Sequence, residues 1–327
     1  MQIFDAQAVR ERSPMPALVQ ALRLAFAAGA EVPQRHAHAL PGGASVLLMP
    51  AWRAGSAGGT APRLGVKTVT ICPGNGALGL PGVHGLYSLF DARTGVPLAV
   101  LDGSELTARR TAATSALAAS YLARADATRL LVVGAGRVAA LMPEAMRAVR
   151  PGISEIAVWA RRPEAAADLA ARWQSGAGVR ATAIGLVSAV TDLAAAVRRA
   201  DIVSCATLST TALVQGAWLA PGAHLDLIGS FTPAMREADG AAFTLSAVHV
   251  DTAEALAKSG DVLQAIAEGA FSADRLAGTL ADLVHGLTGG REGREGRMGL
   301  EGRTLFKSVG NALEDLAAAE LVFDGPG

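Results

Sequence analysis

The chain has 327 residues, enough for about two domains with a sizeable core. Lysine plus arginine equals aspartate plus glutamate, 29 against 29, so no net charge draws it to nucleic acid or to an anionic membrane. Cys72 and Cys205 lie far apart in apolar runs, as buried thiols of a reducing compartment do. With no apolar run near the roughly 18–20 residues of a membrane span, and no basic region leading into an apolar one at the N-terminus, a cytoplasmic protein is expected.

In chain order, Asp5 is placed to cap a short helix, and residues 16–28 repeat Leu18, Leu22 and Phe26 at helical spacing. From Arg35 the period changes to that of strands: residues 35–40, 45–50 and 65–71, the first and last alternating, followed by 85–90 and 96–101 as a hairpin across a five-residue loop. Glycine-rich loops at 53–62 and 73–82 separate them. Residues 103–123 read as one long helix, with Ser104 as its expected cap. Strands first and an α/β pattern second predict a separate antiparallel layer in the N-terminal third.

Residues 129–162 then read strand, glycine turn, helix, strand, the context of a dinucleotide-binding unit. Gly134 permits the tight turn, Gly136 leaves room for a pyrophosphate, and Arg137 and Val138 open the helix whose N-terminus faces it. The second strand ends Trp159-Ala160-Arg161-Arg162, so alanine occupies the place of the acid that holds an NAD ribose. Arg161 and Arg162 are either solvated helix-start residues or partners for a 2′-phosphate. NADP(H) is therefore expected over NAD(H), with NAD(H) compatible.

The α/β pattern continues through helical segments at 163–173 and 191–199, strands at 201–206, 223–229 and 248–250, and a helical segment at 253–258. Residues 289–303 repeat Arg-Glu-Gly without apolar period, which predicts a mobile surface loop. Residues 304–316 return to helical order. No histidine shows ligand spacing with cysteine or carboxylate, so no metal is expected.

Several stretches together resemble the ornithine cyclodeaminase/μ-crystallin family over nearly the whole chain. They are Gly65-Val66-Lys67, Pro73-Gly74-Asn75, Leu101-Asp102-Gly103, residues 106–118 around Arg109-Arg110-Thr111, the Gly134 loop, and residues 304–310. The resemblance implies a homodimer. It implies a Rossmann domain over 116–303 and an α+β substrate and dimerisation domain over 1–115, to which 304–327 return. It places a substrate carboxylate at Lys67, Arg35 and Arg110, beside Thr111, and gives Ser230 to the substrate or cofactor. Lys307 and Ser308 reach the cofactor or active site on the same ground.

Chemistry treats Lys67 independently: in an otherwise apolar strand its charge is costly unless it meets an anion or faces outward. His84, at a strand start, is either a proton donor facing the pocket or a structural residue. Thr207, after the strand at 201–206, is placed for the cofactor ribose. Cys205 beside it has no paired base and reads as packing.

Two departures from the family pattern bear on the reaction. Leu47 stands where cyclodeaminases carry a glutamate, and Phe231 where they carry an aspartate. Cyclodeamination needs a base to move protons at an amine, whereas reducing a preformed cyclic imine needs its carboxylate anchored and its C=N placed against a nicotinamide. The stretch 226–237 is similar to that of Δ1-pyrroline-2-carboxylate reductases. An NAD(P)H-dependent cyclic ketimine reductase acting on a five- or six-membered imino acid is expected. Ornithine cyclodeamination and cofactor binding without turnover are the alternatives.

Overall fold

The computed structural model describes residues 1–55, 61–176, 185–290 and 302–326. The expected loop at 289–303 falls largely outside them, as does part of the loop at 53–62. The chain divides into two compact units, Met1–Thr111 with Asn311–Gly327, and Ala112–Gly310.

The first unit is built on a mixed sheet with strands β1 Gln2–Phe4, β2 His36–Ala39, β3 Ser45–Arg53, β4 Arg63–Ile71, β5 Val83–Asp91 and β6 Pro97–Asp102, in the order β1-β6-β5-β4-β3-β2. All neighbours are antiparallel except β1 with β6. Its helices are α1 Ala6–Arg12, capped by Asp5 through the Ala8 N–H (2.8 Å), and α2 Met15–Ala28. Helix α3, Gly103–Leu122, begins with Asp102 accepting the Glu105 N–H at 2.7 Å, so Asp102 and not Ser104 is its cap.

Strand alternation sorts this sheet into two faces. Lys67 pairs with Met49 and Tyr87, so these three point the same way, together with Leu47, Ala51, Gly65 and Leu89. This face packs on α11, Ala312–Asp324, which also meets α2. Tyr87 reaches across β4 at Gly65, where a methyl group would stand 1.8 Å from its Oη. The opposite face is open, with exposed apolar side chains among polar ones such as Thr68 and Ser88. Ile3 is 78 %, Leu86 58 % and Trp52 40 % exposed.

The second unit is a parallel sheet of β7 Arg129–Val133, β8 Glu155–Trp159, β9 Leu186–Ala189, β10 Ile202–Cys205, β11 His224–Leu227, β12 Ser246–Val250, β13 Gly278–Thr279 and β14 Arg303–Lys307. Their order is β13-β12-β14-β11-β10-β7-β8-β9, a Rossmann-type doubly wound fold in which the order reverses at β7 and β10. Helices α4 Arg137–Val149, α5 Pro163–Gln174, α6 Leu193–Arg199, α7 Gly240–Thr244, α8 Ala255–Lys258, α9 Gly260–Ala267 and α10 Leu280–Val284 connect them. The central strands are buried on both faces, hence continuous apolar runs such as Leu130–Val133.

One expectation is corrected here. Residues 304–307 are strand, not helix: β14 lies between β11 and β12, and 304–307 are wholly buried. A strand covered on both sides loses the alternation that distinguishes it from a buried helix. The chain turns at Gly310, with φ +82°, and Asn311 caps α11, so the return to the first unit begins at 311 rather than 304. Among the described residues no helix is long and apolar enough to cross a membrane.

Candidate active site

Helix α11 is buried almost all round, and Glu314 and Asp315 in its first turn go under with it. Two carboxylates cannot be buried cheaply without partners. Those partners are Lys67 from β4 and Arg110 from α3. Lys67 Nζ lies 2.6 Å from Asp315 Oδ2, Arg110 Nε donates to Asp315 Oδ1 at 2.8 Å, and an Arg110 Nη donates to Glu314 Oε2 at 2.7 Å. Lys67 and Arg110 were expected together from the sequence, and the structure brings them to one carboxylate. Glu314 and Asp315 were missed because the sequence places them inside a helix running from 304, where acids ordinarily face solvent.

The cluster sets its own protonation. Burial pushes the Lys67 ammonium down, Asp315 pulls it partly back, and the result is about 8 against an ordinary 10.5. Burial favours a neutral Asp315, but Arg110 and Lys67 outweigh it and hold the carboxyl below its usual range. Arg110 is held charged, Asp315 and Glu314 overcoming its burial. Tyr87, buried on the same face, has its phenol raised well above its usual value by burial and then by Asp315 and Glu320.

Arg35 precedes β2 half-buried, and Thr111 is half-buried on α3. His84 is different. It pairs with Thr70, three residues along β4 from Lys67, so it stands on the opposite face and is exposed. The reading of His84 as a donor facing the Lys67 pocket is corrected on that parity. Leu47, by contrast, does share the Lys67 face, through its pairing with Val69.

In the second unit the turn after β7 has the shape a dinucleotide requires. Gly134 adopts φ +122°, and a methyl there would stand 2.5 Å from the Ala206 carbonyl oxygen. Gly136 caps α4 without a side-chain hydrogen bond, and nothing lies within 4 Å of where its Cβ would be. Gly136 and Arg137 are exposed and Val138 half-buried, so the α4 N-terminus presents backbone N–H groups beside open space. Arg161 and Arg162, just past β8, are exposed.

Three other expected ligands have internal partners. Thr207 donates its hydroxyl (2.8 Å) and its N–H (2.7 Å) to buried Glu237, which also accepts the Gly229 N–H at 2.6 Å. Glu237 thus ties the turn after β10 to the turn after β11, and burial raises its carboxyl to about 7. Ser230 is buried, donates to the Met235 carbonyl (2.9 Å) and accepts the Asp261 N–H (3.0 Å). Lys307 is buried, donating to the Leu227 carbonyl at 3.0 Å, with Asp261 at 3.8 Å. The Ser230 hydroxyl and the Lys307 ammonium thus each have a protein partner, and both stay candidate ligands. Ser308 is buried at the end of the same strand, its N–H bonded to Leu227. Cys205 is fully buried in the core and burial raises its thiol, as packing requires. No cluster of metal-ligating side chains occurs among the described residues.

The sequence profile of the ornithine cyclodeaminase/mu-crystallin family matches residues 2–325. The chain belongs to that family. It is 44 % identical over 259 residues to a Δ1-pyrroline-2-carboxylate reductase of Paracoccus denitrificans, covering 79 % of this chain and 78 % of that one. Among solved structures it is similar to the Δ1-pyrroline-2-carboxylate reductase of Thermococcus litoralis in complex with NADH and L-proline, at 30 % identity and TM-score 0.87, covering 99 % and 97 %. An archaeal alanine dehydrogenase dimer with bound NAD is similar at 27 % identity and TM-score 0.86, covering 99 % and 95 %. The resemblance read from the sequence is thereby shown, and the Rossmann fold with it.

Proposed function

We propose that this protein is an NAD(P)H-dependent cyclic ketimine reductase that converts Δ1-pyrroline-2-carboxylate, or its six-membered homologue, to the L-amino acid. The carrying observation is the paired, buried Lys67 and Arg110 on a face where Leu47 replaces an acid. The relatives that bear this activity by name support it.

Lys67 and Arg110, joined by Arg35 and Thr111, hold the substrate carboxylate. Two cations already fixed by Asp315 and Glu314 lose little freedom on binding it, so the imine is oriented at small entropic cost. Gly134, Gly136, Arg137 and Val138 would hold a nicotinamide cofactor, which when bound would supply hydride. A C–H bond forms at the imine carbon, and the π electrons of the C=N pass to nitrogen. The substrate enters as the iminium, so the chain need hold no donor at that nitrogen, consistent with His84 standing on the far face. Cyclodeamination has less support: Phe231 carries no proton, and Asp315, held below its usual range, is a weak base.

Arg161 and Arg162, with Ala160 in place of an acid, favour NADP(H) while leaving NAD(H) acceptable. The open sheet face carrying Ile3, Trp52 and Leu86 supports a homodimer. Free thiols at Cys72 and Cys205 suit a cytoplasmic setting. The test is NADPH absorbance with Δ1-pyrroline-2-carboxylate, beside an ammonia assay with L-ornithine and NAD. Oxidation in the first and none in the second supports the reading, and ammonia release overturns it.

A further inference from the structure

Lys67, Arg110, Glu314 and Asp315 are all buried, and their four charges cancel. The acids further along α11 are paired as well. Glu320 pairs with Arg53 at 2.7 Å and Asp324 with Arg63 at 3.3 Å, while the Tyr87 phenol stays neutral. A ligand that brings only a carboxylate therefore adds an uncompensated negative charge to a buried, neutral cluster. A ligand with a positive nitrogen beside its carboxylate adds none.

We propose that Glu314 and Asp315 give this site its charge preference, biasing it toward zwitterions with a cationic nitrogen beside the carboxylate and against monoanions of the same shape. This rests on the carboxylate-anchoring reading of Lys67 and Arg110, and it names the form of substrate taken. The cyclic iminium carboxylate is selected over its neutral-imine anion and over open-chain 2-oxo acids. The selected form is also the reactive one, because the positive nitrogen draws electrons from the carbon that receives hydride. After the C–H bond forms, the former π pair is the lone pair of a neutral amine, which takes its proton from water. Arg35, half-buried, favours the carboxylate of either ligand alike. It is also unchanged between wild type and variants, so it cancels in the comparison below.

The experiment measures dissociation constants of two ligands with one ring size and one carboxylate: L-proline, a zwitterion, and pyrrole-2-carboxylate, a planar monoanion. Glu314→Gln and Asp315→Asn, compared at a pH low enough to keep Lys67 charged, each remove one negative charge, and each should improve the anion relative to L-proline by roughly tenfold. Glu314→Asp keeps the charge and should leave the ratio near wild type. Calorimetry on the wild type in buffers of different ionisation heat gives a readout that needs no variant. At about pH 8, where Lys67 is partly neutral, pyrrole-2-carboxylate should bind with uptake of a proton at Lys67 Nζ and L-proline without. An unchanged ratio in the neutral variants, or equal weakening of both ligands, overturns the charge preference and leaves the two acids as struts. Anion binding without proton uptake overturns it as well. Failure of both ligands to bind the wild type, or binding that survives Lys67→Ala and Arg110→Ala, instead removes the anchor itself and the preference with it.

Discussion

The Asp315 carboxylate lies 2.6 Å from the Lys67 ammonium, and both side chains are buried. Burial lowers Lys67 to about 8, and Asp315 is the largest influence opposing that fall. Lys67 is therefore charged below about pH 8 and neutral above it. With the carboxylate held by that charge, kcat/KM should fall as pH rises through about 8, since this ratio reports the free enzyme. Asp315→Asn removes the opposing influence, so the fall should begin at lower pH. Initial-rate profiles of both proteins between pH 6 and 10 measure it. A profile unmoved by the substitution would detach Asp315 from Lys67.

Truncating the anchors should cost more than a shift in pH. Lys67→Ala or Arg110→Ala removes a charge-assisted contact worth about 1.5–3 kcal/mol, so kcat/KM should drop on the order of tenfold to a hundredfold. Each also takes one cation from the buried carboxylates, and melting temperatures should fall in parallel. His84→Ala should leave kcat/KM within about twofold, since His84 stands on the other face. A large loss at His84 would contradict the assignment of faces.

Gly65 is needed for space rather than for flexibility. A methyl at this position would stand 1.8 Å from the Tyr87 hydroxyl and 2.5 Å from the ring carbon that bears it. The ring is fully buried and must move bodily to admit it, so Gly65→Ala should destabilise by about 1–3 kcal/mol. Gly65→Ala with Tyr87→Phe should recover part of that loss, because the hydroxyl makes the closest approach. Denaturant unfolding of the single and double variants measures the coupling.

Glu237 gives stability its own pH dependence. Burial raises the folded carboxyl to about 7 from an ordinary 4.5. Its contribution is full below the unfolded value, is lost as pH rises from 4.5 through about 7, and is flat above. Glu237→Gln lacks that change. The stability of wild type relative to this variant should therefore decline by about 3 kcal/mol across the window. The variant should also loosen the Thr207 and Gly229 turns, seen as faster amide exchange there.

Two surface features yield direct tests. Arg161→Ala with Arg162→Ala should raise KM for NADPH about tenfold and leave NADH within about twofold, if these guanidinium groups meet a 2′-phosphate. Leu86→Glu places a charge on the open sheet face, where Leu86 is 58 % exposed. Sedimentation should show a dimer for wild type and a monomer for this variant. A monomeric wild type would leave that face without its proposed occupant.

Much of the fold was legible because its signals are local. Residues 65–71 alternate, residues 129–162 carry the glycine turn between two strands, and Asp5 caps a helix within three residues. Strand β14 was not legible, because Thr304-Leu305-Phe306-Lys307 is buried on both faces and shows no period. At the site, Lys67 stood out as a charge in an apolar strand, while Asp315 did not, being one acid in a segment read as helix from 304. Only the burial of α11 turns that acid into a partner for β4 and α3. His84 was misplaced for a related reason: its face depends on pairing register, which one strand does not fix alone. The internal hydrogen bonds of Ser230 and Lys307 join residues far apart in sequence or in a turn, and only the fold shows them.

The most direct test of imine reduction at Lys67 and Arg110 follows the transferred atom. Purified protein is mixed with reduced nicotinamide cofactor carrying deuterium at both C4 positions and with Δ1-pyrroline-2-carboxylate, and the product is read by mass spectrometry and NMR. The account predicts L-proline with one deuterium at the α-carbon, formed by wild type and nearly absent with Lys67→Ala. Proline without deuterium, or label transfer undiminished in both Lys67→Ala and Arg110→Ala, would contradict it.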